Sequence, residues 1–460
     1  DDFLAAQEQS SVRVETIQAQ IDSLGAPPES GDEPPEIAQR RAELNERLAQ
    51  LSAPQRRAEE AFTRANVIIS NIDEMIRARQ TDELLKLDPS PLTPVRWGPA
   101  LTALKASFTR SWHELQRNLG SDALRSETRE NIPLIIVLLI AAGVLLTRGK
   151  GWAGQLVNRL RARTRRGTGV WGFLLSLGQI ALPLLGVAAL VLALFATELV
   201  GPRLEVLLTA LTTYAAILLG IRWLADQTFH DDDAIATLPI EPDARRRARW
   251  LANTLAFLVV AFDLVKQLRE LDDYSSATAA VLQFPIIVIA GLLLFRLGRV
   301  RRQFGYAEHE IEEGGEDALP FRMRLARIIA RVIMVIGIVG PIMAAIGYAR
   351  FGEALIFPTI QTLAIIGVVL VLQRFVNDLY ELITGTNPTE ANSLWPVLVG
   401  FVIAILALPF LALTWGARVA DLTEIWVQFR EGFVFGETRI SPTDFLVVII
   451  VFVIGYMLTR

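Results

Sequence analysis

The sequence predicts an all-α protein, namely a polytopic α-helical membrane protein with an N-terminal extramembrane helical bundle. Hydrophobic residues make up 52% of the 460-residue chain and its mean hydropathy is +0.37, which exceeds what one ordinary soluble core can bury. The apolar residues are also unevenly distributed. Residues 1–130 are rich in Glu, Arg, Gln and Ala, whereas many later stretches of about 20 residues carry almost no charge. We therefore expect an extramembrane helical domain over 1–130, followed by a membrane domain.

Nine apolar runs are long enough to cross the hydrocarbon layer, which needs about 20 helical residues at about 1.5 Å each. The first run is short and opens with Pro133, at a position where a helix tolerates proline. Short polar connections separate the second span from the third and the sixth from the seventh, so each of these pairs is predicted to form a helical hairpin. The nine predicted spans are 132–147, 170–195, 204–224, 250–268, 277–297, 328–348, 354–373, 395–415 and 444–459.

The distribution of Lys and Arg predicts the orientation, because these residues stay on the cytoplasmic side in short loops. Alternate loops carry clusters of basic residues, at 148–166, 245–249 and 299–327. The intervening loops carry only Arg203, Arg269, Arg350, Arg418, Arg430 and Arg439. This asymmetry predicts that 1–130 lies outside and that Arg460 lies inside. Because the chain begins with Asp1 and Asp2 rather than with Met, we also expect a cleaved signal peptide to precede it. Tryptophans fall at five predicted span ends, where an amphipathic ring prefers to lie: Trp171, Trp223, Trp250, Trp395 and Trp415.

Amphipathic periodicity predicts four helices in the outer domain, at 1–24, 36–51, about 55–80 and about 99–119. Proline-containing segments separate the first helix from the second. The apolar stripes need partners other than lipid, so they predict a small antiparallel bundle. The stripes consist of Val14, Ile17, Ile21 and Leu24; Ile37, Leu44, Leu48 and Leu51; Phe62, Ala65, Ile69, Ile72 and Met75 or Ile76; and Leu101, Leu104, Phe108, Trp112 and Leu115.

The residue types needed for catalysis or metal binding do not form a recognisable motif in this sequence. The chain has no cysteine, which excludes disulfides, thiolate metal sites and cysteine nucleophiles. Its three histidines, His113, His230 and His309, lie in segments predicted on both sides of the membrane, and the common phosphate, dinucleotide and metalloprotease motifs are missing. A formal net charge of −4 does not indicate nucleic-acid binding. We expect no catalytic residue, no metal and no cofactor, and hence no enzyme.

Few polar groups lie within the predicted spans. Asp263 and Lys266 are three residues apart on one helix face, near the outer end of their span, and could form an intramembrane ion pair. Arginines before the fourth span are candidates for contacts with anionic lipid head groups: Arg245, Arg246, Arg247 and Arg249. Five spans contain a proline, which removes a backbone hydrogen bond and favours a kink: Pro183, Pro285, Pro341, Pro358 and Pro409.

Two segments resemble a known family. Residues 77–85, RARQTDELL, are followed by 89–97, PSPLTPVRW, and this stretch resembles the N-terminal periplasmic domain of large, multi-spanning bacterial channels in the small-conductance mechanosensitive channel superfamily. Residues 440–444, ISPTD, leading to 455–460, GYMLTR, look like the first of the three core spans in that superfamily. The pore helix and the cytoplasmic domain of those channels have no counterpart in residues 1–460.

The resemblance implies that 131–443 is an eight-span tension-sensing paddle and that 444–460 is the first span of the channel core. It further implies a homo-oligomer, a heptamer, in the inner membrane of a Gram-negative bacterium. Such a channel has its N-terminal domain in the periplasm, responds to membrane lipids, and releases ions and small solutes on hypo-osmotic shock. Two alternatives stay open: a secondary transporter, which would show flux without tension, and a membrane sensor or scaffold whose outer domain binds an envelope partner.

Overall fold

A computed structural model describes residues 14–25, 34–121, 128–163, 168–230, 242–300, 321–385, 394–431, 433–435, 438–440 and the single positions 447, 451 and 455. The chain divides into two compact units, Asp1–Glu83 and Leu84–Arg460. This division falls before the 130/131 boundary expected from composition. The predicted ninth span, 444–459, lies outside the described residues except at the three single positions.

The first unit contains two helices, α1 over 14–23 and the 50-residue α2, Pro35–Leu84, which ends at the unit boundary. Between them, Gly25 has a φ of +73°, a left-handed conformation that glycine adopts readily. The Arg41 guanidinium donates a hydrogen bond of 2.8 Å to the Gly25 carbonyl oxygen and so ties α2 to the end of α1. The predicted separation of α2 into two helices is wrong. Pro54 removes one backbone hydrogen bond, but the flanking residues are strong helix formers.

The second unit is built from helices that run back and forth. After a 3₁₀ turn at Pro94–Arg96, its helices are α3 (Trp97–Leu119), α4 (Ile132–Arg163), α5 (Thr168–Ser176), α6 (Gly178–Phe195), α7 (Pro202–Thr228), α8 (Pro242–Asp272), α9 (Ser276–Val300), α10 (Phe321–Ile346), α11 (Ala349–Thr384), α12 (Trp395–Thr414) and α13 (Val419–Glu431). Within the described residues, eight helical segments are long and apolar enough to cross a membrane, and they coincide with the first eight predicted spans. The all-α, polytopic fold class is therefore confirmed.

The second predicted span consists of two helices, because the chain is interrupted at Leu177 between α5 and α6. All five prolines predicted to lie within spans are found inside helices, in α6, α9, α10, α11 and α12. Whether each one bends its helix stays a prediction. A short hairpin follows α13, in which β1 (Phe433–Phe435) pairs antiparallel with β2 (Thr438–Ile440). Its register joins Phe433 to Ile440, Val434 to Arg439 and Phe435 to Thr438.

The hydrophobic core of the second unit lies among α8, α9, α10 and α11. Leu294 of α9 is fully buried, and it belongs to one cluster with Ile333 of α10. Phe262 of α8 and Phe357 of α11 join the same cluster, with their ring centroids 4.0 Å apart. Apolar side chains on other parts of the surface face lipid, whereas those of this cluster are packed against one another. The four helices therefore form the rigid centre of the unit.

Glycines bring α9, α10 and α11 into backbone contact. A Cβ atom added to Gly291 of α9 would lie 2.4 Å from Cγ of Pro341 and 2.6 Å from the carbonyl oxygen of Gly337, both in α10. A Cβ atom added to Gly352 of α11 would lie 2.7 Å from the carbonyl oxygen of Gly340. Small residues at helix contacts of this kind let membrane helices approach closely, since packing rather than exclusion of water holds them together.

Gly291→Ala should therefore destabilise the protein by about 1–3 kcal/mol, because the added methyl group overlaps backbone and ring atoms that cannot move freely. Gly143→Ala is the matched control, since Gly143 lies in the exposed surface of another span with no atom within 4 Å of an added Cβ. Thermal unfolding in detergent, followed by tryptophan fluorescence, measures both variants. Equal melting temperatures would contradict the assignment of a tight α9–α10 contact.

Candidate functional site

One segment of the second unit runs across three interhelical turns. We call residues 85–121, which comprise the connection after α2 and the helix α3, the strap. The three turns are 196–201 between α6 and α7, 273–275 between α8 and α9, and 347–348 between α10 and α11. Two spans separate each turn from the next, so all three turns lie at the same end of the spans. We call this the strap end.

The first contact of the strap is with the turn between α10 and α11. The Asp88 amide donates a hydrogen bond of 2.9 Å to the Gly347 carbonyl oxygen, and the Ser90 hydroxyl donates one of 2.7 Å to the Ala345 carbonyl oxygen. Ala345 lies in the last turn of α10 and Gly347 in the connection that follows it, where carbonyl oxygens have no hydrogen-bond donor within the helix. Gly347 has a φ of +126°, and an added Cβ atom there would lie 2.4 Å from the Asp88 carbonyl oxygen. Only glycine permits this approach.

The connection that makes this contact is itself well ordered by local bonds. Pro91 is fully buried, and its carbonyl oxygen accepts a hydrogen bond of 2.9 Å from the Trp97 indole. Pro94 stands at the first position of the 3₁₀ turn, where its fixed φ favours the helical direction and its missing amide costs nothing. The turn leads directly into α3. The part of the strap that precedes α3 therefore has a defined conformation, and it connects the α10–α11 turn to α3.

The second contact is a buried ionic cluster around Asp272, the last residue of α8. The Asp272 side chain is 1% exposed. The Arg203 guanidinium, in the first turn of α7, donates hydrogen bonds to both of its carboxylate oxygens, at 2.6 Å from Nη1 and 2.5 Å from Nη2. Ser107 and Arg110 of α3 donate to the same carboxylate, and the Tyr274 hydroxyl bonds to Ser107. One carboxylate thus joins α3, α7 and the α8–α9 turn.

Four of the five N–H donors of the Arg203 guanidinium have acceptors within this cluster. Its Nε donates to the Ser111 hydroxyl at 2.8 Å, and Nη2 also donates to the Ser107 carbonyl oxygen at 3.3 Å. The Arg203 backbone amide donates to a Glu114 carboxylate oxygen at 3.3 Å, at the N-terminal end of α7. A carboxylate at this position complements the positive end of the helix dipole. A buried ion pair is tolerated when its remaining donors and acceptors are satisfied in this way.

The third contact is with the turn between α6 and α7. The Asn118 side-chain amide donates a hydrogen bond of 2.8 Å to the Leu199 carbonyl oxygen. An added Cβ atom on Gly201 would lie 2.1 Å from the Glu114 carboxylate, so α3 approaches this turn as closely as a glycine allows. Just beyond the strap, Thr128 donates to the Thr197 carbonyl oxygen of the same turn. The strap is therefore bonded to all three turns by side chains or backbone of described residues.

The packing of α3 differs from the sequence-based expectation. Leu101, Phe108 and Trp112 of its apolar stripe are exposed, whereas Ala100 and Ser107 are buried. The sequence predicted that this stripe would pack against the other outer helices, but α3 belongs to the second unit and packs against α9. Small and hydroxyl side chains face the turns because they allow close approach and supply the hydrogen bonds that the ionic cluster needs.

The structure corrects the predicted intramembrane ion pair. The Asp263 carboxylate accepts a hydrogen bond of 2.9 Å from the Tyr214 hydroxyl of α7, and among the ion pairs of the described residues none joins Asp263 to Lys266. Lys266 is exposed, whereas Asp263 is half-buried against the neighbouring helix. A local spacing of three residues therefore did not predict the partner, because an interhelical hydroxyl was available on the buried side.

The four arginines proposed as lipid contacts do not share one environment. Arg245 is buried and donates a hydrogen bond of 3.0 Å to the His230 carbonyl oxygen, so it is not available to a lipid head group. Arg246 is exposed and forms an ion pair of 2.7 Å with Asp243. Arg247 is exposed and Arg249 half-buried. Lipid contact stays a prediction for the last three.

No cluster of metal-binding type is found in the part of the chain that the structure describes. The residues of the ionic cluster that the sequence did not predict are Asp272, Arg203 and Ser107. One signal was present, since Arg203 is a basic residue on the side predicted to be poor in arginine. A second was the spacing of Ser107, Ser111 and Glu114, which places polar groups on one helix face.

Comparison with known families finds a similarity over a segment that includes most of the strap. A family model described as a protein of unknown function, DUF3772, matches residues 55–117. No curated protein and no solved structure matches the chain. The matched segment covers the second half of α2, the proline-rich connection and nearly all of α3. Residues 55–117 are thus similar to a family of unknown function, and this segment includes every strap side chain that contacts Asp272 or Arg203.

Proposed function

We propose that the chain is the tension-sensing part of a mechanosensitive channel subunit. In this proposal the protein is a homo-oligomer, a heptamer, in the inner membrane of a bacterium, with its N-terminal part in the periplasm. It protects against hypo-osmotic shock by letting ions and small solutes leave the cell, without enzymatic chemistry. The observation that carries the proposal is the strap, which links three successive turns at one end of the membrane helices.

The distribution of burial among the spans supports the proposal. Only 6% of the span in α12 and 11% of the span in α4 are buried within the chain, against 50% for α9. The peripheral spans therefore offer most of their surface to lipid, while α9 belongs to the packed centre. Tension favours whichever state of a protein occupies more area in the membrane plane, and lipid-facing helices respond by changing tilt. A sensor needs both a lipid-coupled periphery and a stiff centre.

The strap supplies the mechanical link that such a sensor needs. Because α3 is bonded to the α6–α7 and α8–α9 turns, a displacement of one helical pair is transmitted to the next. The connection before α3 extends this link to the α10–α11 turn. Described polar groups within the spans are few and lie on different helices, which fits force transmission better than a substrate pathway.

The test is a recording of tension-gated current from the complete natural protein, in excised patches of membrane that lack other mechanosensitive channels. Asp272→Asn should lower the threshold tension, because it weakens the bonds that hold the spans in their untensioned arrangement. Unitary conductance should stay unchanged, since the proposal assigns the cluster to the sensor and the pore to other residues. Asp273→Asn is the matched control, as Asp273 is exposed.

Three results would count against the proposal. Absence of current up to the lytic tension would exclude a tension-gated channel. Substrate-dependent flux into proteoliposomes without applied tension would favour a secondary transporter. Recovery of one envelope protein that depends on residues 1–130 would favour a sensor or scaffold. A further expectation is that residues 1–460 alone carry no current, because the described spans present mainly Leu, Ile, Val and Phe to their surroundings.

A further inference from the structure

The surface of α3 is divided into three sectors along its whole length. At about 100° per residue, the face directed at the three turns contains Ala100, Ser107 and Glu114, and the apolar stripe lies roughly a quarter turn away from it. The third sector is polar. The apolar sector consists of Leu101, Leu104, Phe108, Trp112, Leu115 and Leu119, and the polar sector of Thr102, Lys105, Thr109, Arg110, His113, Gln116 and Arg117.

Four of the six large side chains of the apolar sector are exposed, namely Leu101, Phe108, Trp112 and Leu119. The Phe108 side chain is 64% exposed and that of Trp112 is 59% exposed. Because the buried face of α3 is attached to the turns, this sector cannot rotate inward without breaking the bonds to Asp272 and Arg203. It therefore needs an apolar environment from outside the second unit's own core.

The bonds of α3 also define its depth relative to the membrane. Leu204 follows Arg203 directly, and Leu268 precedes Asp272 by four residues, so the ionic cluster lies within about 6 Å of apolar span residues at 1.5 Å of rise per residue. This is the level of the phospholipid head groups and of the upper acyl chains. At this depth, any part of the α3 surface that protein does not cover faces lipid.

We propose that α3 is an interfacial helix, whose apolar sector lies in the boundary between head groups and acyl chains of the leaflet at the strap end. Amphipathic helices with Trp, Phe and Leu on one side and basic residues on the other bind membrane interfaces in this way. Tryptophan in particular prefers this level. The inference deepens the proposed function, since it makes phospholipid a direct partner of the strap.

The charges of α3 favour phospholipid over a second copy of the chain. Its single acidic residue, Glu114, faces Arg203, so the ionisable groups that α3 presents outward are basic. Lys105 and Arg117 would meet the phosphates of anionic lipids, whereas two copies packed through this helix would bring like charges together. Through such lipid contact, a displacement of the membrane interface would exert a force on α3 and hence on the Asp272 cluster.

Site-directed spin labelling tests the inference, because the chain is free of cysteine. Single-cysteine variants of residues 1–460, namely Leu101→Cys, Phe108→Cys and Trp112→Cys, carry a nitroxide in liposomes of phosphatidylcholine and phosphatidylglycerol. Thr109→Cys, in the polar sector, is the matched control. We expect the apolar-sector labels to collide more with oxygen, which dissolves in lipid, than with a water-soluble nickel chelate. The label at Thr109 should show the opposite preference.

Two outcomes would overturn the inference. Short label-to-label distances from dipolar spectroscopy, together with low access to both reagents, would identify a second copy as the occupant of the apolar sector. Preferential access to nickel at every position would place the stripe in water. These measurements report depth rather than current. Lipid-accessible labels in residues 1–460, together with absence of tension-gated current from the complete natural protein, would refute the proposed function and leave the interfacial helix standing.

Discussion

Asp272→Asn is expected to destabilise the second unit by about 3–5 kcal/mol, the usual cost of removing one partner of a buried ion pair. The substitution keeps the shape of the side chain but removes the charge that Arg203, 15% exposed, binds through two hydrogen bonds. The amide nitrogen of the new asparagine is itself a donor and would face the donors of the arginine. At least one hydrogen bond is therefore replaced by repulsion between two donors. Ser107 and Arg110 donate to different carboxylate oxygens, so one of the two would also lose its acceptor to the amide nitrogen.

Thermal unfolding in detergent measures this loss, and hydrogen exchange of α3 locates it. The control is Asp273→Asn, because Asp273 is the next residue, is exposed, and has a φ of +51° that asparagine also tolerates. Its effect should stay within about 0.5 kcal/mol. Equal destabilisation by the two variants, or faster exchange spread evenly over all helices, would argue against a local cluster that holds the strap.

Labelling of single-cysteine variants should separate positions at the strap end completely from positions at the opposite end of the spans. Thr109→Cys in α3 and Thr423→Cys in α13 should react with a membrane-impermeant maleimide in intact spheroplasts, whereas Arg246→Cys and Glu381→Cys should react only after permeabilisation. All four positions are exposed. The expectation follows from the arginine clusters, which lie at the ends of the spans opposite the strap.

The unsubstituted chain is the negative control for this labelling, since it has no cysteine. Reaction of Arg246→Cys in intact spheroplasts would reverse or refute the predicted orientation. A division other than two and two would show that the predicted number of spans between the labelled positions is wrong. The experiment is independent of the channel proposal, because a transporter with the same topology would give the same labelling.

The eight described spans could be predicted because the signal is local. A helix that faces lipid must satisfy its backbone groups internally and present about 20 apolar residues in succession, so composition alone identifies it. Helix α12 illustrates this, since it was predicted at 395–415 and is found at Trp395–Thr414. The continuous α2 was missed because Pro54 is a strong local signal against a helix, and the helix formers on both sides of it outweigh that signal.

The partners of polar residues could not be predicted because they are distant in sequence. Asp263 was assigned to Lys266 three residues away, yet its hydrogen-bond donor is Tyr214, 49 residues earlier in another helix. Ser107 and Asp272 are 165 residues apart. Spacing within one helix identifies residues on a common face, but not which face meets which neighbour.

The sequence by itself determined where the apolar helices lie, that they alternate in direction, and that α3 has one apolar and one polar side, because each of these properties depends on residues within a few turns of one another. Only the tertiary structure decided that the apolar side of α3 stays open while Ser107 and Ser111 face the turns. The reason is energetic. A buried carboxylate with a bidentate arginine is stable only when further donors surround it. Here Ser107 and Arg110 of α3 supply those donors to a carboxylate at the end of α8 that also binds the arginine of α7.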